Sequence, residues 1–443
     1  MRIQMSLKES KYNHFFQADD DYILAYNALT NSFARVTKSK SNIIKKILIA
    51  PNTFSFDTEE KEKLRDDLIK GGFLIDDEID EIEFLKMRNR IGRFTTDYFG
   101  LTIAPTLGCN FKCEYCFEKP RQETMSAEVE SALLQLAEER MISAKGFSVV
   151  WFGGEPLLGI EIISRLNTAF KKLCEKYNVV FSPQQIITNG YLLTKENAKR
   201  LKELNITSAQ VTIDGPPEIH NSRRKLHSGE GTFEKIIENI VESMEYINIV
   251  VRINVDEENY TDVDRLFDIF EKNGFIGKVP FYLGRVVSST EACVDISSKC
   301  FNVKDYSTAV IDSIKRGVKA KPNAQYPMLT HFGVCCADKY NSYVVTPSGA
   351  LFKCWSEVTF DESKSVGHLI DDYMKPFQLK NLMTYLNWDP FENKQCLKCK
   401  FFPICGGGCP YFSLNSMDHC TTWKYHLREM LKLRYEEIKK NKN

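Results

Sequence analysis

The sequence predicts an α/β protein built around a partial (β/α)6 TIM-like barrel. Two observations carry that expectation. From Phe99 onward, short apolar runs alternate with helical patterns, which implies parallel strands joined by right-handed crossovers. The chemically capable residues also fall just after those runs, at the rim where parallel barrels gather their active sites.

The strands are expected at 101–105, 148–152, 185–188, 209–213, 249–255 and 279–283. Helices are expected between them at 126–143, 160–177, 195–204, 233–244 and 262–272. Phe233, Ile236, Ile237, Ile240, Val241 and Met244 repeat at i, i+3, i+4, i+7, the stripe of a helix with one buried face. Six units are too few to close an eight-stranded barrel, hence the partial form. Cys109 follows the first strand, Gly153-Gly154-Glu155 the second, Thr188-Asn189-Gly190 the third and Asp214 the fourth, while Asn254 and Arg285 lie near the ends of the fifth and sixth.

The first 95 residues read as a separate unit. Apolar–aromatic runs at 12–16 and 22–26 flank the turn-like Asp19-Asp20-Asp21 and predict a hairpin, and a third run at 32–36 follows Thr30-Asn31. Helical patterns follow at 42–49 and 58–70, the second stopped by Gly71-Gly72, and Phe73-Leu74-Ile75 returns as an apolar run. The whole chain is expected to divide into 1–95, 96–290, a bridging segment at 291–330, and 331–443.

Lys+Arg and Asp+Glu number 59 each, so no net field draws nucleic acid or an anionic membrane, and residues 1–95 balance at sixteen of each sign. No apolar stretch approaches the ~20 residues needed to span a bilayer. The start, at 1–12, lacks the apolar core of a signal peptide. The expected compartment is therefore the cytoplasm, where disulfides are rare and clustered thiolates point to metal. Of 14 cysteines, three lie within 109–116 and eight within 335–420. Cys174, Cys293 and Cys300 stand apart, and Cys174 reads as a small buried hydrophobe.

Cys109-x3-Cys113-x2-Cys116 offers three thiolates where an iron–sulfur cluster usually takes four. By themselves they also suit a zinc site. Their spacing, with Tyr115 before the last cysteine, resembles the radical S-adenosylmethionine (radical SAM) superfamily. The resemblance implies a 4Fe–4S cluster on Cys109, Cys113 and Cys116 with one open iron for S-adenosyl-L-methionine, cleaved reductively to a 5′-deoxyadenosyl radical. Further segments match in order: Gly153-Gly154-Glu155-Pro156 resembles the family's GGEP element, Ile187-Thr188-Asn189-Gly190 its third-strand segment, and Thr212-Ile213-Asp214-Gly215-Pro216 with His220 and Arg224 its SxDGP…HDxxR signature. Thr212 stands for Ser and Asn221 for Asp, and Asn221 is given no role. The cofactor contacts so implied are Gly153, Gly154, Glu155, Asn189, Thr212, Asp214, Arg224 and Asn254, with Arg224 facing the cofactor carboxylate.

Cys396-x2-Cys399-x5-Cys405-x3-Cys409, then Cys420, is a strong metal pattern that alone also fits a zinc ribbon. Preceded by Cys335, Cys336, Gly349 and Cys354, it resembles the SPASM domain, which implies two auxiliary 4Fe–4S clusters and three in all. The family's pairing implies an outer cluster on Cys396, Cys399, Cys405 and Cys420, and an inner one on Cys354, Cys409 and Cys335 or Cys336. Leu329 and Thr330 stand where the family often has a further cysteine. The inner cluster is thus left with either four thiolates or an open iron.

The strands and helices of 1–95 resemble the winged-helix-like element that captures a leader peptide as an added strand. Taken together, the resemblance implies a radical SAM/SPASM peptide maturase that installs a cross-link, above all a cysteine thioether, in a ribosomally made peptide. Its partners would be a precursor peptide with its leader and a reducing donor such as flavodoxin or ferredoxin. Two alternatives stay open: an anaerobic sulfatase-maturating, formylglycine-forming enzyme, and a zinc-dependent peptide-binding adaptor. Trp355 weighs against the first, since sulfatase maturases place an aspartate after the cysteine corresponding to Cys354.

Overall fold

The computed structural model describes residues 6–118, 121–317, 326–329, 332–333, 335–358, 362–371 and 373–440. Thr330, read above as a departure from the family pattern, lies outside them, as do parts of the expected bridging segment. The described residues form two compact units: one from Met1–Gly92, Pro322–Phe332 and Asp389–Asn443, the other from Arg93–Lys321 and Gly333–Trp388.

In the first unit the strands are β1 (Leu7–Glu9), β2 (Asn13–Gln17), β3 (Tyr22–Asn27), β4 (Ser32–Thr37) and β5 (Leu74–Asp76). β2, β3 and β4 make an antiparallel meander, with the hairpin and third strand where the apolar runs place them. β1 pairs with β5, a short ladder absent from the sequence reading. Helices Lys38–Ile49 and Glu59–Lys70 are capped by Thr37 and Thr58, whose side chains accept from Lys40 N and Lys61 N. Lys38–Ile49 starts earlier than its apolar pattern because the cap precedes four polar residues, Lys38 to Ser41. Ile44, Ile47 and Leu48 then pack with Leu68, Phe73 and Leu74. On the other side of the meander, Tyr12, Leu24 and Tyr26 share a core with Phe391, Phe402, Ile404, Leu427 and Leu431. The cysteine-rich C-terminal stretch is therefore packed against the N-terminal sheet, and side-chain hydrogen bonds join the two: Lys11 Nζ donates to Leu397 O (3.2 Å), Lys400 Nζ to Asn13 O (3.2 Å), and Tyr435 Oη to Asp19 Oδ2 (3.0 Å).

In the second unit the strands are β6 (Tyr98–Ile103), β7 (Phe111–Cys113), β8 (Gly146–Trp151), β9 (Val180–Phe181), β10 (Gln184–Thr188), β11 (Ile206–Ile213), β12 (Arg224–Leu226), β13 (Asn248–Val255), β14 (Phe281–Arg285), β15 (Ser342–Val345), β16 (Ala350–Phe352) and β17 (Gly367–His368). The six expected strands are β6, β8, β10, β11, β13 and β14, adjacent in that order and parallel throughout. Helices Ala127–Met141, Ile160–Tyr177, Lys195–Glu203, Phe233–Ser243 and Val263–Lys272 connect them, as a partial barrel requires. β14 begins two residues later than expected because Pro280 has no N–H to donate to a ladder. The sheet also continues past β6: β15 pairs with it in parallel, and β16 and β17 add antiparallel strands.

The barrel core includes Phe147, Trp151, Phe170, Ile186, Val211 and Val251. On helix Phe233–Ser243, Ile236 and Ile240 are fully buried, while Val241, at the margin of the stripe, is 37% exposed. Cutting Ile240 back to Ala should cost about 2–5 kcal/mol. Cys174 is buried in this core. Among the described residues no helix is long and apolar enough to cross a membrane.

Candidate active site

The loop after β6 is held from two directions. β7, which contains Cys113, pairs antiparallel with β12, placing Arg224 opposite Cys113. Below it, Gly154 N donates to Thr106 O (3.2 Å) and Glu155 N to Gly108 O (2.8 Å). A Cβ on Gly153 would stand 2.4 Å from Thr106 O, and one on Gly154 2.4 Å from Gly108 O. These glycines are therefore required by the approach of the cysteine loop itself, before any ligand is considered.

Cys109, Cys113 and Cys116 line one cavity of about 290 Å³, together with Gly153, Gly154, Asn189, Thr212, Arg224 and Asn254. Burial pushes Cys109 and Cys116 up to about 12 and raises Cys113, so burial by itself favours neutral thiols. A metal centre reverses that preference by replacing the protons. The donors present suit such a centre: Phe111 N (3.4 Å) and Asn189 Nδ2 (3.9 Å) both point at Cys109 Sγ. Three thiols sharing one cavity with N–H groups directed at sulfur fit an iron–sulfur cluster.

Two expected contacts are placed behind the wall. Glu155 is fully buried, and its carboxylate accepts from Thr188 Oγ1 (2.8 Å), Leu157 N (3.0 Å) and Asn189 N (2.8 Å). It fixes the end of β10, and with it the Asn189 side chain. Asp214 is also fully buried; Oδ1 accepts from Tyr115 Oη (2.9 Å) and Oδ2 from Arg223 Nε (3.3 Å). Arg223 bridges on to Asp256 Oδ2 (2.7 Å), and Asn259 Nδ2 donates to Asp214 O (2.6 Å).

Tyr115 is the hub of this network. Its hydroxyl receives hydrogen bonds from Arg224 Nη1 (2.6 Å) and Asn254 Nδ2 (3.2 Å) while donating to Asp214. Burial opposes the Arg224 charge, yet Cys113, Tyr115 and Asp214 together hold its proton more tightly than usual. Its Nε is buried without a partner among the described residues, so the guanidinium has capacity left for an oxyanion. His220 is buried and kept neutral, its Nδ1 accepting from Asp214 N (3.3 Å). Asn221 caps helix Phe233–Ser243, its Oδ1 accepting from Thr232 N (2.8 Å) and Phe233 N (2.9 Å).

The sequence reading missed Tyr115 as a hub, together with Arg223, Asp256 and Asn259. The run Asp256-x2-Asn259, two residues past Asn254, was the available signal. It also missed the cavity's outer wall, where Phe117 stacks on Phe152 (6.3 Å) and Phe152 meets Trp355 (4.8 Å). Glu118 lines the same cavity; burial pushes it up to about 7, and its Oε1 has no partner among the described residues.

Residues 103–270 match the model of the radical SAM superfamily, a span that begins at the end of β6 and holds the site from Cys109 to Asn254. The chain is an enzyme built on a radical SAM domain. It is 22% identical to the radical SAM cyclopropyl synthase TigE of Paramaledivibacter caminithermalis, the match covering 95% of each chain. It is 24% identical to the cysteine-type anaerobic sulfatase-maturating enzyme of Clostridium novyi, over 74% of this chain and 94% of that one. The structure of native anSMEcpe with bound AdoMet and Cp18Cys peptide shares the fold, with a TM-score of 0.58 at 21% identity over 76% of this chain and 99% of that one. The family implies a 4Fe–4S cluster and S-adenosylmethionine. The zinc adaptor is set aside by this membership.

Beyond the barrel strands, this radical SAM enzyme divides its remaining clustered cysteines between the two units. Cys335 is exposed and Cys336 half-buried in the unit that contains Cys354. In the other, Cys396 lies near Cys399, Cys405 and Cys420, Cys405 lies near Cys420, and Lys424 Nζ donates to Cys420 Sγ (3.4 Å). Between Cys405 and Cys409 the chain turns through Gly406, Gly407 and Gly408 at φ 62°, 89° and 78°. A Cβ on Gly408 would fall 1.7 Å from His419 O.

Proposed function

We propose that this enzyme matures a ribosomally made peptide by joining a peptide cysteine sulfur to a carbon as a thioether. The observation that carries the reading is that one chain combines a thiol-lined radical SAM cavity with an antiparallel sheet whose last strand, β4, pairs with β3 alone among the described residues. An edge strand of that kind can take up an extended peptide. On this reading residues 1–95 are the winged-helix-like leader-binding element, and 331–443 the SPASM segment.

Cys109, Cys113 and Cys116 would hold the catalytic cluster. Bound there, S-adenosylmethionine supplies a 5′-deoxyadenosyl radical that takes a hydrogen atom from a substrate carbon. Arg224, held by Tyr115, offers its free Nε to the cofactor carboxylate, while Asn189, Thr212 and Asn254 line the rest of the cofactor's seat. Gly153 and Gly154 bring the loop in, and Glu155 and Asp214 act as positioning residues through the contacts above. Phe117, Phe152 and Trp355 keep water from the reacting carbon. The peptide thiol would lose its proton, and forming the carbon–sulfur bond would release one electron; accepting it is the chemistry an auxiliary cluster would supply. Cys396, Cys399, Cys405 and Cys420 would hold the outer cluster, with Cys354, Cys409 and Cys335 or Cys336 at the inner one.

A second reading, formylglycine formation, is favoured by the sulfatase-maturating relatives, whose length the match covers almost completely. The full-length match to a cyclopropyl synthase raises carbon–carbon closure as a further outcome. One experiment separates them. The enzyme is incubated anaerobically with dithionite, S-adenosylmethionine and a cysteine-containing precursor from a neighbouring reading frame, and the product is reduced and then alkylated. A thioether is lighter by two hydrogens and its cysteine resists alkylation. A product lighter by two hydrogens that still alkylates is a carbon–carbon link, and loss of sulfur with a carbonyl-reactive product is formylglycine. Either result overturns the thioether.

A further inference from the structure

The cavity lined by Cys109, Cys113 and Cys116 carries a second fixed cation, Arg252 of β13, with no role in holding S-adenosylmethionine. Arg252 stands in register with Thr212 of β11 and Tyr282 of β14, so the three share one face of the sheet. Its Nε donates to Asn254 Oδ1 (2.7 Å), and Asn254 Nδ2 donates in turn to Tyr115 Oη (3.2 Å), the hydroxyl that holds Arg224. Its guanidinium carbon lies 6.0 Å from the Tyr282 ring centroid. Gly284 makes room for it: a Cβ there would stand 2.5 Å from Arg252 Nε and 3.0 Å from Cζ. Three neighbours thus place this side chain, and none is an anion. Among the described residues no carboxylate is ion-paired with Arg252, and neither of its Nη groups donates a hydrogen bond. Glu118 is the one carboxylate among the described residues that line the cavity, and the cation acting on it is Arg121. Arg285, at the end of β14, lines the same cavity and adds positive charge to it.

We propose that Arg252 determines substrate specificity by binding a carboxylate of the peptide that enters the cavity. The inference rests on the substrate being a peptide, and not on which bond is formed in it. A guanidinium stays charged at every working pH, and this one is fixed at Nε with both Nη groups unengaged, the two-pronged geometry that a carboxylate fits. S-adenosylmethionine brings a single carboxylate, and Arg224 with its free Nε is there to take it. The second anion therefore comes from the substrate, as an Asp or Glu side chain beside the reacting carbon or as the C-terminus of the peptide. An amide of the same shape would leave Arg252 without its partner, so acid and amide should be told apart about tenfold or more.

The test measures kcat and KM of the reconstituted wild-type enzyme for the precursor encoded in a neighbouring reading frame. The same is done for precursors in which each Asp and Glu flanking the modified residue is changed singly to Asn or Gln, and for a C-terminally amidated precursor. One neutralisation should raise KM about tenfold with kcat little changed, the mark of a charged hydrogen bond to bound substrate. Which peptide is affected tells a side-chain acid from the C-terminus. Arg252→Gln, with iron counted beside wild type, should abolish the distinction between the sensitive acid and its amide, and Arg252→Lys should keep part of it. Equal kinetics for every neutralised precursor on wild-type enzyme overturn the proposal with no variant's folding at issue. An acid preference that persists in fully loaded Arg252→Gln protein also overturns it, because the preference would belong to another cation. If Arg252→Gln loses iron, Gly284→Ala takes its place, since the new Cβ displaces the guanidinium without removing it; a lost preference supports the proposal and a retained one overturns it. Failure of the peptide reading looks different: wild-type enzyme would neither bind nor alter the precursor in any charge state, and the inference would fall with it. A product that is not a thioether leaves the acid preference standing.

Discussion

The three cysteines after β6 and the four thiols gathered from Cys396 to Cys420 are supported by opposite means. At the barrel rim, Cys113 lies in a strand ladder, Cys109 is anchored above the backbone contacts of Gly154 and Glu155, and Tyr115 ties the loop to Asp214, Arg224 and Asn254. Around the C-terminal set the regular structure is slight: helices Lys394–Lys398, Phe402–Cys405 and Pro410–Leu414 and a run of three left-handed glycines. Its support is the core shared with the N-terminal sheet. Where a ladder and a buried polar network shape the loop, a cluster adds chemistry to a site that already exists. Where one-turn helices and glycines do so, a cluster bound there would supply part of the folding free energy.

The largest expected effect is on chemistry at the rim. Replacing Cys109, Cys113 and Cys116 together by Ala should abolish 5′-deoxyadenosine formation and remove roughly a third of the iron expected for three clusters. A triple variant that still cleaves S-adenosylmethionine would refute the rim assignment. At the other site, Gly408→Ala should strip iron from the C-terminal set, because the backbone must move to clear His419 O. Gly229→Ala is the matched control: φ is also positive, at 93°, but nothing lies within 4 Å, so only the ~1–2 kcal/mol conformational cost applies. Equal iron loss in the two variants would dissolve the contrast.

Iron removal itself should sharpen it. Hydrogen exchange across 394–420 should accelerate strongly in the apoprotein, while β6, β8 and β10 keep their protection; uniform acceleration would mean the barrel depends on its cluster as well. Acid should act on the same C-terminal support. Burial pushes His14 down to about 4, and its Nε2 meets Lys400 O at 3.2 Å. The unfolded chain then binds the proton more readily, so stability present above pH ~6.5 is lost as pH falls toward 4, on the order of 3 kcal/mol at most. His14→Gln should flatten that dependence, which thermal denaturation at pH 7 and pH 5 would measure. The smallest effect is Tyr115→Phe, which removes one hydroxyl from the network and should weaken S-adenosylmethionine binding about tenfold, ~1.4 kcal/mol. Unchanged affinity by calorimetry would show that Arg224 is held without it.

The sequence by itself determined the barrel strands, their order and the convergence of their C-terminal ends, because period and alternation are local properties that survive into the fold. Cys109, Asn189 and Asn254 were legible from their places near strand ends, whereas Cys113, Cys116, Thr212 and Arg224 came from the resemblance of their segments to the radical SAM motifs; the structure brings all seven to one cavity. Only the tertiary structure decided what those residues touch. Glu155 and Asp214 read as ligand contacts and are fully buried, because a carboxylate with two or three donors around it is indistinguishable in sequence from one facing a cofactor. β15 on the edge of β6, and residues 389–443 packed against the meander of 13–37, join segments more than two hundred residues apart. No local pattern records such pairings: they are set by which apolar faces remain uncovered once the local elements have formed, and that is settled by packing across the whole unit.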